Sequence, residues 1–554
     1  MGEKRRRLLL AGIPAFAGMT MLLASPAVAS VDGEAALAAY LQARVADGDG
    51  NPALAAQRFA AALALAPDNA LLAGRALTQA VAAGDEAVAL AAARALERLG
   101  KLTPEARLLL LGDALKSRRW SVAEAQAAEL ERDEVFSFMA PILRAWAVQG
   151  SGRGDPVLLL APGKSASLVT AYSAEQRPLL LALAGRRDQA LAALAPLFEQ
   201  DETERLRVTA AATLAAKGGR DEALKLLDGD GEAMVRARAA LRAGRRLPGA
   251  VDSPAAGAAD FLLKVAADLQ SQQVPDLALN FARLATFIAP GNSEAWLLVA
   301  RVEEGRGRHA SALAALARVP PDDPFAGEAA ERRLALLVAS GRTEAAIEEA
   351  RRATRTADGA DSWTRLAGLL ADSGRFAEAA EAYGRAIGRR SEAKAPDWGL
   401  HLLQGTALAR AGRWPEAREA LRRAYALAPG QPVVLNVLGY FQLEHRENLD
   451  EAERLIREAD KLKPDDPAIT DSLGWARYVR GDLAKAVELL ETAARREPAD
   501  SAINEHLGDA YYSAGRRFEA RYAWRAALVS ADSSVAQRLR AKLESGLKPE
   551  LAAP

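Results

Sequence analysis

Leu438-Gly439-Tyr440, Leu473-Gly474-Trp475 and Leu507-Gly508-Asp509 are one phrase set down three times, at intervals of 35 and 34 residues. Each is followed by an alanine (Ala452, Ala486, Ala520), by a second alanine seven residues later (Ala459, Ala493, Ala527) and, in the first two, by a closing proline (Pro464, Pro498). A period of this size is too long for a coiled-coil heptad and fits one helix, a tight turn and a second helix. The residue choices agree with that unit. Glycine at the turn tolerates φ > 0 and lets the first helix reverse into the second. Alanine early in the second helix lets the first lie close, and proline ends the second helix without needing a backbone donor.

Upstream of this stretch the fullest single copy is Trp363, Leu366, Ala367, Leu370, Gly374, Ala379, Tyr383 and Ala386. These residues resemble the unit of the tetratricopeptide repeat family, W-x2-L-G-x2-Y, then Gly, then A-x3-F-x2-A and Pro. The resemblance implies an all-α fold: an α-solenoid of about a dozen tetratricopeptide-type helical hairpins forming a right-handed superhelix in one or two arms. One hairpin cannot bury its apolar face alone, so neighbours must stack to complete each core. The stacked copies are expected to leave an open trough lined by the first helix of each pair.

The period can be followed toward the start of the chain. Turn glycines at 307, 341, 374 and 412 keep the register, and the longer last step coincides with an inserted loop at 391–396. Gly185 and Gly219 mark two earlier units, and Tyr40, Gly48 to Gly50, Ala55, Phe59, Ala62 and Pro67 mark the first mature one. Between Leu102 and Trp146 the apolar spacing stays helical while the family signature fades. Glycine, serine and proline crowd residues 150–167 and again 247–257, which interrupts helices. The expected organisation is a targeting segment at 1–29, N-terminal helical repeats at 30–149, an irregular loop region at 150–180 and further repeats at 181–248. A linker at 249–258 then leads to C-terminal tetratricopeptide repeats at 259–533 and a capping helix with a frayed tail at 534–554.

Residues 1–29 read as an export signal. Lys4 to Arg7 form a basic stretch, Leu8 to Leu23 an apolar one, and Ala27-Val28-Ala29 a small-x-small cleavage site. A spanning helix needs about 20 apolar residues, and this stretch is shorter and interrupted by Pro14. Cleavage after Ala29 leaves 68 basic and 71 acidic residues, a charge of −3. The expected location is the periplasm or cell envelope of a bacterium, with membrane contact only if the signal is uncleaved. The chain has no cysteine, so disulfides and thiolate metal sites are excluded.

Position within the repeat selects candidate binding residues. Positions 2, 5, 9 and 12 of the first helix share one face, and in the resembled family that face lines a groove holding extended peptides or partner helices. On the last three units it selects Asn436, Tyr440 and Leu443, then Asp471, Trp475 and Tyr478, then Glu505, Asp509 and Tyr512. Trp475 and Tyr440 have a second reading, as fillers of the joint between units. An unpaired buried charge costs several kcal/mol, so Asp471, Glu505 and Asp509 are expected to face solvent or a cationic ligand. A carboxylate clamp finds only Asn436 to support it. The partner is therefore expected to be a protein or peptide, basic or apolar.

Other functions have little in the sequence to carry them. The 72 basic and 72 acidic residues balance with no basic block, so no nucleic acid partner is expected. His309, His401, His445 and His506 lie far apart, with no pair at helical spacing, so no metal or cofactor is expected. Gly163-Lys164-Ser165 resembles the tail of a phosphate-binding loop but lacks the earlier glycine, where Leu158 stands. Arg153-Gly154-Asp155 reads as a polar turn. The expected function is an exported protein-protein interaction scaffold or adaptor for envelope assembly or export, and not an enzyme. The alternatives are an enzyme or sugar-processing accessory with a site on the concave face near Trp475, or a membrane-anchored structural bridge.

Overall fold

The computed structural model describes residues 31–160, 168–199, 204–356, 358–392 and 397–553. The export signal and Gly163-Lys164-Ser165 lie outside the described residues. Within them the chain is all-α, an array of antiparallel helix pairs running from Val31–Gly48 to Ser533–Ser545. No described helix is long and apolar enough to cross a membrane.

The turn between paired helices has one geometry. After Ala360–Asp372, Gly374 takes φ 73° and the Arg375 N–H donates back to the Leu370 carbonyl at 2.8 Å. This satisfies a carbonyl that a helix end otherwise leaves without a donor. Arg446 takes the same left-handed conformation at φ 50°, and there Glu447 N–H donates to the Gln442 carbonyl at 2.8 Å. The turn therefore persists without glycine, at a strain of about 1–2 kcal/mol.

The glycine inside the repeated phrase has a different cause. A Cβ on Gly405 would stand 2.6 Å from Leu421, on Gly439 2.7 Å from Ile456, on Gly474 2.7 Å from Leu490, and on Gly508 2.3 Å from Trp524. In each pair a large side chain of the second helix lies directly on the backbone of the first. Substituting any of these glycines would push the pair apart.

The chain forms two compact units, one ending at Leu336 and the other beginning at Leu337, with the division inside the helix Ala326–Ala339. Residues 249–258 lie inside the first unit. Val251 is buried there, and Ser253 caps the helix Pro254–Ser271 by accepting the Ala256 N–H at 3.2 Å. Residues 168–180, which fall in the region expected to be irregular, belong to the helix Leu168–Leu183, with Pro178 inside it. Arg153-Gly154-Asp155 is a polar turn in which Asp155 pairs with Arg186 at 3.1 Å.

In the first unit the expected open trough is filled by the chain itself. The hairpin of Pro254–Ser271 and Pro275–Ile288 packs against Ala70–Ala83, Pro104–Lys116, Ala140–Ser151 and Leu168–Leu183, each the first helix of its pair or its equivalent. Small residues admit it: a Cβ on Gly257 would lie 2.4 Å from the Trp146 ring, and one on Gly112 2.4 Å from Ile288. A buried polar chain fixes its register. Trp146 Nε1 donates to Gln176 at 3.0 Å, Gln176 donates to Asp260 at 2.8 Å, and Arg205 binds the other Asp260 oxygen at 2.7 Å. Beside Arg205, burial pushes the Glu294 carboxyl up to about 8, so this acid adds little charge to the cluster at neutral pH.

Gly257→Ala should cost about 1–3 kcal/mol of first-unit stability by overpacking against Trp146. Thermal denaturation and protease cutting in the turn at residues 272–274 measure it. Gly368, whose Cβ would meet nothing within 4 Å, is the control: Gly368→Ala should be neutral or stabilise by up to about 1 kcal/mol through helix propensity.

Candidate functional site

In the second unit the first helices of successive pairs, Trp398–Arg410, Pro432–Glu444, Pro467–Val479 and Ser501–Ser513, touch one another and form the inner wall. Positions 5, 9 and 12 of each helix lie one turn apart on that wall. At the 360–410 end they are small or aliphatic: Thr364, Gly368 and Ala371, then Leu402, Thr406 and Ala409. Toward the far end they become aromatic and acidic. The wall thus changes character along its length.

The aromatic section is a stack. The Trp475 ring lies 4.5 Å from Tyr478 at 14° and 4.2 Å from the His506 imidazole at 18°, and Tyr440 stands 6.1 Å from His506. Asp471 holds His506 Nδ1 at 2.9 Å, and Tyr478 shares a hydrogen bond with Ser513 at 3.1 Å. Burial resists the His506 proton, but the charges of Asp471, Asp509 and Glu505 outweigh it and raise this histidine above its usual range. A charged imidazole on the indole face is also a cation–π contact. Trp475 is therefore both joint filler and groove wall, being 3% exposed while lining a cavity.

The expectation that Asp471, Glu505 and Asp509 face solvent or a ligand is corrected: they are 5%, 3% and 0% exposed. Their cations come from the same chain. Arg538 binds Glu505 through two parallel bonds of 2.7 Å. Lys542, with no exposed surface, reaches Glu505 at 2.7 Å and both oxygens of Asp509 at 2.8 Å. Trp524 Nε1 donates to Asp509 at 2.9 Å, and the backbone N–H of Ala553 does so at 2.7 Å. The three acids thus face His506, Arg538 and Lys542, and at Asp509 burial outweighs the pull of Lys542 and pushes the carboxyl up. Glu505 is drawn below its usual range by Arg538 and Lys542, against the opposing effect of burial.

The tail is corrected as well. Residues 548–553 were expected to fray, yet Ala553 is 7% exposed and Pro549–Leu551 forms a 3-10 turn. Between this segment and the aromatic stack lies a cavity of about 780 Å³, whose walls include Leu443, Glu444, Trp475, Tyr478, Tyr512 and Leu547. Buried polar atoms lie unpaired in this part of the wall, including Trp475 Nε1 and Asn436 Oδ1. Burial pushes the Glu444 carboxyl up, which favours its neutral form. Among the described residues no cluster of metal-binding side chains is present.

The structure thus gathers Tyr440, Asp471, Trp475 and Tyr478 around His506 and leaves Tyr512 facing the cavity. It commits Glu505 and Asp509 to ion pairs, and Asn436 stays half-buried. The sequence reading missed Arg538 and Lys542. Arg538–Glu505 and Lys542–Asp509 are each 33 residues apart, one short of the repeat period, so carrying positions 5 and 9 forward by 34 lands on Leu539 and Leu543 and misses both cations.

His506 gives a pH test. A histidine raised in the folded state stabilises that state fully below its unfolded value near pH 6.5, and the contribution is lost as pH rises through the folded value. In a histidine-selective NMR titration His506 should keep its proton above pH ~6.5. His401 and His445, lowered by burial, should lose theirs below it.

Comparison with known proteins identifies the repeat. The tetratricopeptide repeat family model matches residues 334–395, 364–432 and 472–536, and a second model of the same description matches 408–474. A TPR repeat-containing protein of Pseudomonas aeruginosa is 47% identical over 66 residues, a match spanning 12% of this chain and only 11% of that protein. Similar solved structures include a tetratricopeptide repeat protein from Parabacteroides merdae, at 14% identity and a TM-score of 0.39, covering 46% of this chain and 97% of that one. A TPR protein of Thermus thermophilus gives 22% identity and a TM-score of 0.30, covering 34% and 98%. Residues 334–536 of the chain are thus tetratricopeptide repeats.

Proposed function

We propose that the chain is a protein-binding scaffold whose second unit grips an extended segment of a partner protein along its inner wall. Tetratricopeptide repeats in general serve protein-protein interaction, and the observation that carries the finer reading is the cavity of about 780 Å³ beside the Trp475–Tyr478 stack. Its walls set the aromatic and aliphatic side chains of Leu443, Trp475, Tyr478 and Tyr512 beside the polar Glu444, Arg446 and Ser513.

The ion pairs refine the partner's chemistry. Asp471, Glu505 and Asp509 already have cations in His506, Arg538 and Lys542. A basic peptide would find no free acid among these three. An apolar segment lying on Leu443, Trp475, Tyr478 and Val479 suits the wall better.

Export to the bacterial envelope is part of the proposal, supported by the basic, apolar and small-x-small order of residues 4–29. The intact mass of the protein recovered from the envelope tests it: a mature chain beginning at Ser30 supports export with cleavage, and a chain retained with Met1 in the cytoplasm contradicts it.

Tyr478→Ala and Tyr512→Ala test the groove, because aromatic anchors dominate such interfaces and their loss costs about 2 kcal/mol, roughly thirty-fold in affinity. Crosslinking capture of the partner from envelope extract should weaken by that order with each variant. Tyr522→Ala, at an exposed position on the second helix Arg517–Ala527, should leave capture unchanged. Equal capture by all three folded variants removes the groove from consideration.

A further inference from the structure

Helix Ser533–Ser545 and residues 547–553 reach the inner wall together, but they are held very differently. The helix is locked by Lys542, fully enclosed, and by the paired bonds of Arg538. Beyond it the chain turns at Gly546, which has φ 81° and leaves no room for a side chain, since its Cβ would stand 2.3 Å from the Tyr512 hydroxyl. That glycine sends the backbone back across the groove. The returning segment, Leu547-Lys548-Pro549-Glu550-Leu551-Ala552-Ala553, has Lys548, Pro549 and Glu550 exposed, and Leu547, Leu551 and Ala552 half-buried. Its attachments are the Ala553 N–H on Asp509, at 2.7 Å, the buried Ala553 itself, and at its start Leu547, packed against the cluster of Trp524 and Leu539.

We propose that residues 547–553 are a built-in occupant of the groove, a strap that an extended aliphatic and proline-bearing segment of the partner displaces. The proposal rests on the reading of the groove as a partner site. The strap supplies the chemistry of that partner. It places leucine, proline and alanine side chains along a cavity that also contains Trp475, Tyr478 and Tyr512, and it gives one backbone N–H to a carboxylate.

The strap also fills the groove incompletely. About 780 Å³ remains between it and the opposite wall, and the buried Trp475 Nε1 has no acceptor. A longer segment would fill this volume and lie against Trp475, Tyr478 and Tyr512. An occupant that fills more of the volume removes more apolar surface from water than the strap does, which gives it the advantage. The hinge is Gly546: the helix and its ion pairs stay in place while the strap leaves.

The test uses the strap's own sequence as probe, an amidated heptapeptide Leu-Lys-Pro-Glu-Leu-Ala-Ala, titrated by calorimetry into the full chain and into a chain ending after Gly546. Removing the tethered competitor should tighten peptide binding at least ten-fold, since a strap in place lowers the fraction of open groove. Ala553→Pro in the full chain removes the N–H without touching Lys542, Glu505 or Asp509, and should produce a smaller gain in the same direction. Equal affinity for the peptide in all three proteins, with helix 533–545 still folded, overturns the strap. Concentration-dependent dimers of the full chain that vanish on truncation also overturn it, because the segment would then serve a second copy. Failure of the groove reading looks different: there Tyr478→Ala and Tyr512→Ala leave capture of the partner unchanged, whatever truncation does.

Discussion

The end of the second unit depends on one enclosed ammonium group. Lys542 has no exposed surface and spends its three donors on Glu505 and Asp509. Taking such a group out of water costs several kcal/mol, which is recovered only when geometry and partners are complete. Removing one partner would leave a buried charge alone, at a cost of about 3–5 kcal/mol. The acids on the inner wall and the cations of helix 533–545 are therefore mutually required.

The same constraint explains the first unit. A stack of helix pairs leaves an inner face with apolar and polar groups that must be covered or solvated. In the first unit the hairpin of residues 254–288 covers it, seated by Gly257 on Trp146 and by the chain of Trp146, Gln176, Asp260 and Arg205. In the second, helix 533–545 covers one end through an ion cluster and the strap covers a little more through one hydrogen bond. The permanent covers are well packed or fully paired, and the strap is neither. That difference in attachment is why binding is placed in the second unit.

Much of the fold was legible because the repeat is dictated by contacts that recur. Gly439, Gly474 and Gly508 are glycines because Ile456, Leu490 and Trp524 press on their backbones, and a contact repeated at fixed spacing leaves a repeated letter. Legibility fell where the geometry survived without its usual residue. Arg118, Gln273 and Arg446 turn their helices in the left-handed conformation that glycine marks elsewhere, so the unit around residues 104–130 and the hairpin at 254–288 lost their clearest signal. Of the candidate wall, Tyr440, Asp471, Trp475 and Tyr478 come together in the structure, because they recur at the same positions of successive first helices. The fate of its acids was not legible. A carboxylate carries the same letter whether it meets water or a lysine 33 residues away, and residues 547–553 have no pattern that announces docking.

Hydrogen–deuterium exchange of the intact chain over residues 501–553 tests most directly whether the chain covers its own inner wall. Amides of helix 533–545 should exchange as slowly as those of helix 501–513, while residues 547–553 exchange far faster. A helix 533–545 that exchanges as fast as the strap would mean that Glu505 and Asp509 stand open to solvent, and would contradict the account.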